Sequence, residues 1–213
     1  MSLDGLDREA LVSGVLAVIL EDCGPGSLLA MEFAMEAGIG DWEDFDPAGD
    51  TGLRSAFHDF ALAVAGERVG DEIGRIGGEL RDEGGRLVGW RAISVPPSWP
   101  QEDWADRPAG VCWSWDPDFA ATHMGGQAGT RPAVLKARFG ADCVDWFETV
   151  RLNAASRYTT GDEKELRLLP GVEVEISEIV LLDEFRRQVN VIPVSRTVAT
   201  TQVDGYGVVT SVP

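Results

Sequence analysis

Gly161-Asp162-Glu163-Lys164-Glu165-Leu166-Arg167-Leu168-Leu169-Pro170-Gly171, followed by Val172-Glu173-Val174-Glu175-Ile176, is the stretch from which the fold can be read. The second piece alternates apolar and acidic residues without a break, which predicts a half-buried strand. Pro170-Gly171 reads as the turn before it. The first piece carries two glutamates two positions apart ahead of a short apolar run. If that run is a strand, its side chains alternate faces, so Glu163 and Glu165 project to one side. Two carboxylates at the mouth of a sheet repel each other, a poor arrangement for a purely structural sheet and a useful one for an enzyme. A solvated acidic edge is the plainer alternative in so acidic a chain.

Working outward, the second half of the chain is rich in strand patterns. Arg86 to Val95 reads as a strand ending at Pro96-Pro97. A loop rich in Trp and Asp follows over 98–109, then a strand from Gly110 to Trp115, a helix opening at Asp116-Pro117-Asp118, and a short strand from Ala133 to Phe139. Cys143 to Ser156 reads as a helix, Phe185 to Val194 as a further strand, and 196–213 as a last strand or a loose end. The first half is helical. Helices are expected over 6–22, Leu28 to Ala37, Thr51 to Glu67 and Asp71 to Arg81, the last with Ile73, Ile76 and Leu80 inward. Ser27 is placed to cap the second of them. The acidic loop Gly40–Asp50, with Trp42 and Phe45, reads as a solvated connector in preference to the alternative, an aromatic-studded acidic contact surface.

Helices and strands therefore segregate. The expected class is α+β, with a helical lobe over 1–85 and a β-rich domain with a mixed or antiparallel core over 86–213. No Gly-x-Gly-x-x-Gly follows a strand, so a dehydrogenase-type dinucleotide fold is not expected.

Composition narrows the function. The 213 residues are 44% hydrophobic and 25% charged, ordinary for a globular protein with one substantial core. The longest apolar run, Leu11 to Leu20, is interrupted by Ser13 and Gly14 behind an acidic leader, so neither a membrane span nor a signal peptide is expected, and the protein is read as cytoplasmic. Three cysteines without Cys-x-x-Cys spacing and two histidines argue against a disulfide framework and a metal centre. His123 with Cys112 leaves a hydrolase formally open, although neither sits in a nucleophile elbow. The net charge of −18 disfavours nucleic acid as a partner. It suits solubility, or attraction to a basic protein.

The Glu163-Lys164-Glu165 pair, its apolar run and the Pro-Gly turn resemble the third motif of the arginine-type mono-ADP-ribosyltransferases. That family asks for an Arg on the first strand and a Ser on a following one. Arg91 lies in Trp90-Arg91-Ala92-Ile93, where a cation within a strand needs an anion and a guanidinium fork suits a pyrophosphate. Ser114 lies in Trp113-Ser114-Trp115, where the family usually shows a hydroxyl pair. The resemblance spans roughly residues 86–182. It implies a β core of ADP-ribosyltransferase type that uses NAD as substrate, without metal, to modify a macromolecular acceptor, in a toxin, a phage effector or a housekeeping enzyme. In that scheme Glu165 stabilises the oxocarbenium-like sugar and grips a ribose hydroxyl. Glu163 orients or deprotonates the nucleophile, a protein arginine in the family. Arg91 holds the phosphates, and Ser114 positions Glu165 or the nicotinamide ribose. Trp113, Trp115 and Phe119 are the candidates to stack on nicotinamide. The competing expectation is a non-catalytic acidic inhibitor or decoy that binds a basic protein, motivated by the charge and by Trp-Ser-Trp.

Overall fold

The computed structural model describes residues 3–80, 86–95, 109–123, 130–159 and 164–202. It is an α+β protein with five α-helices and one mixed sheet of seven strands among those residues. The chain divides into two compact units, one of Ser2–Glu79 with Trp146–Glu163, the other of Met1, Leu80–Asp145 and Lys164–Pro213.

The first unit is helical: α1 (Arg8–Glu21), α2 (Leu28–Glu36), α3 (Arg54–Glu79) and α5 (Trp146–Ser156). Asp7 caps α1 by accepting from the Ala10 amide at 3.0 Å, and Ser27 caps α2 by accepting from Ala30 at 3.3 Å. Leu11, Val15 and Ile19 form the buried stripe of α1. Phe33 stands at the centre of an aromatic cluster, with Phe45, Phe57 and Phe60 at ring-centroid distances of 5.5, 5.4 and 5.5 Å. Phe45 thereby anchors the acidic loop, whose Asp41, Glu43, Asp44 and Asp50 stay exposed.

Two expectations need correction here. The helices expected over 51–67 and 71–81 are one continuous helix, α3. Its buried positions Phe57, Ala61, Ala65, Val69, Glu72 and Ile76 repeat every three or four residues straight across the glycines that suggested a break. Glu72, not Ile73, occupies the inward position, because two arginines neutralise it: Arg75 Nε and Arg68 Nη2 donate to its carboxylate at 2.8 and 3.3 Å. Arg75 also reaches the Asn153 side chain of α5 at 3.5 Å. The sequence pattern draws one boundary near residue 85; in the structure α5, from the strand-rich half, groups with α1, α2 and α3.

The second unit is the sheet: β1 (Arg86–Val95), β2 (Ala109–Gly110), β3 (Cys112–Ser114), β4 (Arg131–Gly140), β5 (Glu165–Arg167), β6 (Glu173–Leu182) and β7 (Gln188–Thr201), with α4 (Pro117–His123) after β3. Its strand order is β2-β7-β6-β4-β1-β3-β5, antiparallel except for the β2–β7 pair. The expected strand from Gly110 to Trp115 is two strands. Ala109 and Gly110 pair with β7 at one end of the order, while Cys112 to Ser114 pair with β1 and β5 at the other. Only Val111 separates them, so the sheet curls until its two ends meet. Bonds between 169–172 and Thr200 close the seam: the Gly171 amide donates to the Thr200 carbonyl at 2.9 Å, and the Thr200 amide to Val172 at 2.8 Å. A curled sheet buries one face on itself, and Leu87, Trp113, Phe139, Leu166, Ile176 and Ile179 fill it. α4 covers part of the other face, with Ala120 against Val134, Leu182 and Trp90.

The hairpin between β6 and β7 also departs from expectation. Phe185 lies in its turn, 68% exposed, because Asp183 Oδ1 accepts from the Phe185 and Arg187 amides at 2.9 and 2.8 Å and folds the chain back there. β7 then runs on past Ser195 to Thr201, with Pro193 within the strand opposite Glu178. The expected helix from Cys143 begins only at Trp146. Residues Ala141–Cys143 form a 3-10 turn, and Val144 bridges to Leu168.

Candidate functional site

Three neighbouring strands bring the expected residues together. Trp90 of β1 pairs with Ser114 of β3, and Ser114 pairs with Glu165 of β5. Arg91 follows Trp90 directly. Trp90, Ser114 and Glu165 thus stand in one row across the sheet, with Arg91 one residue off it along β1. Adjacent strands are spaced about 5 Å, so the row spans roughly 10 Å.

Arg91 is half-buried, and its guanidinium donates to the Cys112 carbonyl. Gly110 makes room for it, since a Cβ at that position would overlap the guanidinium. Burial pulls the Arg91 pKa down, and the nearby Cys112 thiol and Glu165 carboxylate pull it back up. Glu165 is ion-paired to Arg167 of the same strand, Nε to Oε1 at 3.5 Å. Arg167 Nη1 also donates to Cys112 Sγ at 2.7 Å. Cys112 is exposed as a residue, yet desolvation of its thiol among these side chains raises it above its ordinary value, and Glu165 adds to the rise while Arg167 and Arg91 oppose it. The cluster therefore holds two guanidinium groups, one carboxylate and one protonated thiol. Two forks of donors suit a doubly charged anion, and a carboxylate beside them suits a developing positive charge.

Ser114 is 5% exposed and its hydroxyl is engaged on both sides. Oγ donates to the Lys164 carbonyl at 3.0 Å and accepts from the Asp116 amide at 3.0 Å. Its proton is spent on the carbonyl of the residue just before Glu165. Lys164 itself has φ +45°, in the left-handed region that a non-glycine residue enters at a cost. Its ammonium meets Asp116 Oδ2 at 2.7 Å. Asp116 Oδ1 accepts from the Asp118 and Phe119 amides at 2.9 and 3.1 Å, capping α4. The hydrogen bond from Lys164, with those from the two amides, holds the Asp116 carboxyl below the usual carboxylate range.

The three aromatic candidates differ. Trp113 is a core residue, 3% exposed, tilted at 64° against Phe139 and donating from Nε1 to the Gly110 carbonyl at 2.8 Å. Trp115 is buried as well, and Phe119 of α4 alone keeps a half-exposed ring. Glu163 lies outside the described residues. Arg167, Lys164 and Asp116 were not singled out as site residues in sequence. Arg167 follows Glu165 by two, the strand spacing that puts both on one face, and this was the signal available for it. Among the described residues no group of three or more His, Cys, Asp or Glu is arranged to hold a metal ion, and no helix is long and apolar enough to cross a membrane.

No protein-family model, curated protein or solved structure matches this chain.

Proposed function

We propose that the protein is an NAD-dependent mono-ADP-ribosyltransferase that transfers ADP-ribose to a macromolecular acceptor, a protein arginine in the form the motif favours. The observation that carries this reading is that Ser114 and Glu165 are direct partners on β3 and β5, while Arg91 lies on the adjacent β1, one residue past Trp90, the partner of Ser114, so that the three residue types of the motif come together although distant in sequence. In this scheme the bond between ribose C1′ and the nicotinamide nitrogen breaks, and its electron pair leaves with nicotinamide. Glu165 stabilises the positive charge that develops on the sugar, Arg91 and Arg167 face the pyrophosphate, and Phe119 is the aromatic with surface left to stack on the nicotinamide. A guanidine nitrogen of the acceptor then bonds to C1′ and loses its proton to Glu163, whose role rests on the sequence motif alone. The test is transfer of biotin-labelled ADP-ribose from labelled NAD to agmatine, a small guanidine acceptor. Label on agmatine supports the reading, and none at millimolar NAD with agmatine or host lysate sinks it.

A second reading has an observation of its own. The unit of Ser2–Glu79 and Trp146–Glu163 holds 20 acidic and 6 basic residues, so it carries −14 (6 − 20) of the −18 total. That asymmetry favours a non-catalytic acidic inhibitor or decoy for a basic protein. It predicts a salt-sensitive complex with a basic partner that survives Glu165→Gln.

A further inference from the structure

The residue before Glu165 is held in a way that an ordinary turn does not need. Lys164 has φ +45°, a left-handed backbone that Gly26, Gly38 and Gly171 adopt as glycines and that, among the described non-glycine residues, Arg186 shares in the β6–β7 turn. Three consecutive residues grip it. Ser114 Oγ donates to its carbonyl at 3.0 Å, the Trp115 amide donates to the same carbonyl at 3.4 Å, and the Asp116 carboxylate takes its ammonium at 2.7 Å. The Asp116 carboxylate at the same time caps α4 through its other oxygen. The start of β5, the end of β3 and the start of α4 therefore meet on one side chain. Strained backbone persists only where its surroundings over-determine it, and such positions cluster at functional sites. The direction in which Glu165 leaves Lys164 follows from this conformation, and with it the place of the carboxylate relative to Arg91 and Arg167.

We infer that Lys164 and Asp116 form a latch that positions Glu165, and that they are positioning residues for its chemistry without touching substrate. The inference rests on the transferase reading for its kinetic consequence. A glycine at 164 is unstrained in this conformation, so the fold is kept, but it loses the ammonium bond and is no longer confined to that one conformation, so the latch opens. Misplacement of a reacting group by about 1 Å costs on the order of 10²-fold in rate.

The test compares wild type, Lys164→Gly, Lys164→Arg and Asp116→Asn. Asparagine at 116 retains an acceptor for the α4 cap and removes the charge that holds Lys164. Steady-state nicotinamide release and NAD affinity are measured together with amide hydrogen exchange over 113–119 and 164–168. The latch predicts kcat lower by about 10-fold to 100-fold in Lys164→Gly and Asp116→Asn, NAD affinity within twofold of wild type, recovery in Lys164→Arg, and a thermal midpoint in Lys164→Gly no lower than wild type. It also predicts faster exchange at Trp115 in Lys164→Gly, with the β3–β5 ladder beyond it unchanged. Wild-type kcat in Lys164→Gly, or unchanged exchange at Trp115, overturns the latch. Absence of nicotinamide release from the wild type overturns the transferase reading instead, and the exchange data then decide the latch by themselves.

Discussion

Replacing Glu72 by alanine is the sharpest structural perturbation in the helical unit. The side chain is 4% exposed and lies between two arginine side chains that are 19% and 21% exposed. Arg75 approaches it at 2.7 Å and Arg68 at 3.3 Å, and beyond it Arg75 keeps Asn153 at 3.5 Å and Arg68 keeps Asp71 at 4.0 Å. Truncation leaves two like charges facing a small cavity. Breaking a fully buried ion pair from one side costs about 3–5 kcal/mol. Here the arginines retain some water and weaker partners, so the cost reduces to ~2–3 kcal/mol. At about 2–4 °C per kcal/mol for a chain of this size, the midpoint falls by roughly 5–10 °C. Urea denaturation followed by circular dichroism measures it, with helix and tryptophan signals read separately in case the two units unfold apart. Glu72→Gln, which keeps an acceptor, should lose about half as much. A loss in Glu72→Ala below about 0.5 kcal/mol, the range of an exposed pair, would refute the assignment of Glu72 as the polar centre of the α3–α5 packing.

Other outcomes follow from the same geometry. Gly110→Ala should displace the Arg91 guanidinium from the Cys112 carbonyl while leaving the fold intact, weakening NAD binding about tenfold on the transferase reading; calorimetric titration checks it. Cys112, though exposed, should react slowly with a disulfide reagent at pH 7.5, because desolvation of the thiol and then Glu165 raise it, and Glu165→Gln should speed the reaction. Burial and the bond to Glu32 push the Tyr158 phenol up to about 12 from 10.0. Its folded pKa exceeds its unfolded value, so its contribution is complete below pH 10, is lost as pH rises toward 12, and is absent in Tyr158→Phe; absorbance at alkaline pH should show one of the two tyrosines titrating late.

Much of the architecture was legible in sequence, because periodicity reports burial. The strand Arg86–Val95 has the expected bounds. Ser27 caps α2, and the Val172–Ile176 alternation lies at the start of β6. The expected pattern failed where long-range partners override local signals. Glycines that read as breaks in α3 are tolerated because an unbroken buried stripe holds the helix, and at Gly70 the missing side chain leaves room for the Arg8 guanidinium. A charged Glu72 could not be recognised as inward until Arg68 and Arg75 were placed on either side of it. The Gly110–Trp115 segment read as one strand, since nothing local shows that Gly110 and Cys112 pair with strands at opposite ends of the sheet order. The site divides in the same manner. The Glu163-Lys164-Glu165 motif, Arg91 and Ser114 carry residue types that attract notice. Arg167 and Asp116 acquire meaning only from the pairings Cys112 to Arg167 and Ser114 to Glu165. The left-handed conformation of Lys164 has no sequence signal, because lysine is an unusual residue to find there.

The most direct measurement is nicotinamide release from NAD by the wild type and by Glu165→Gln, each with and without host cell lysate. The transferase reading predicts release by the wild type that rises with lysate and falls on the order of 10²–10³-fold in the variant. Equal release by the two proteins, or none from the wild type under either condition, would contradict it.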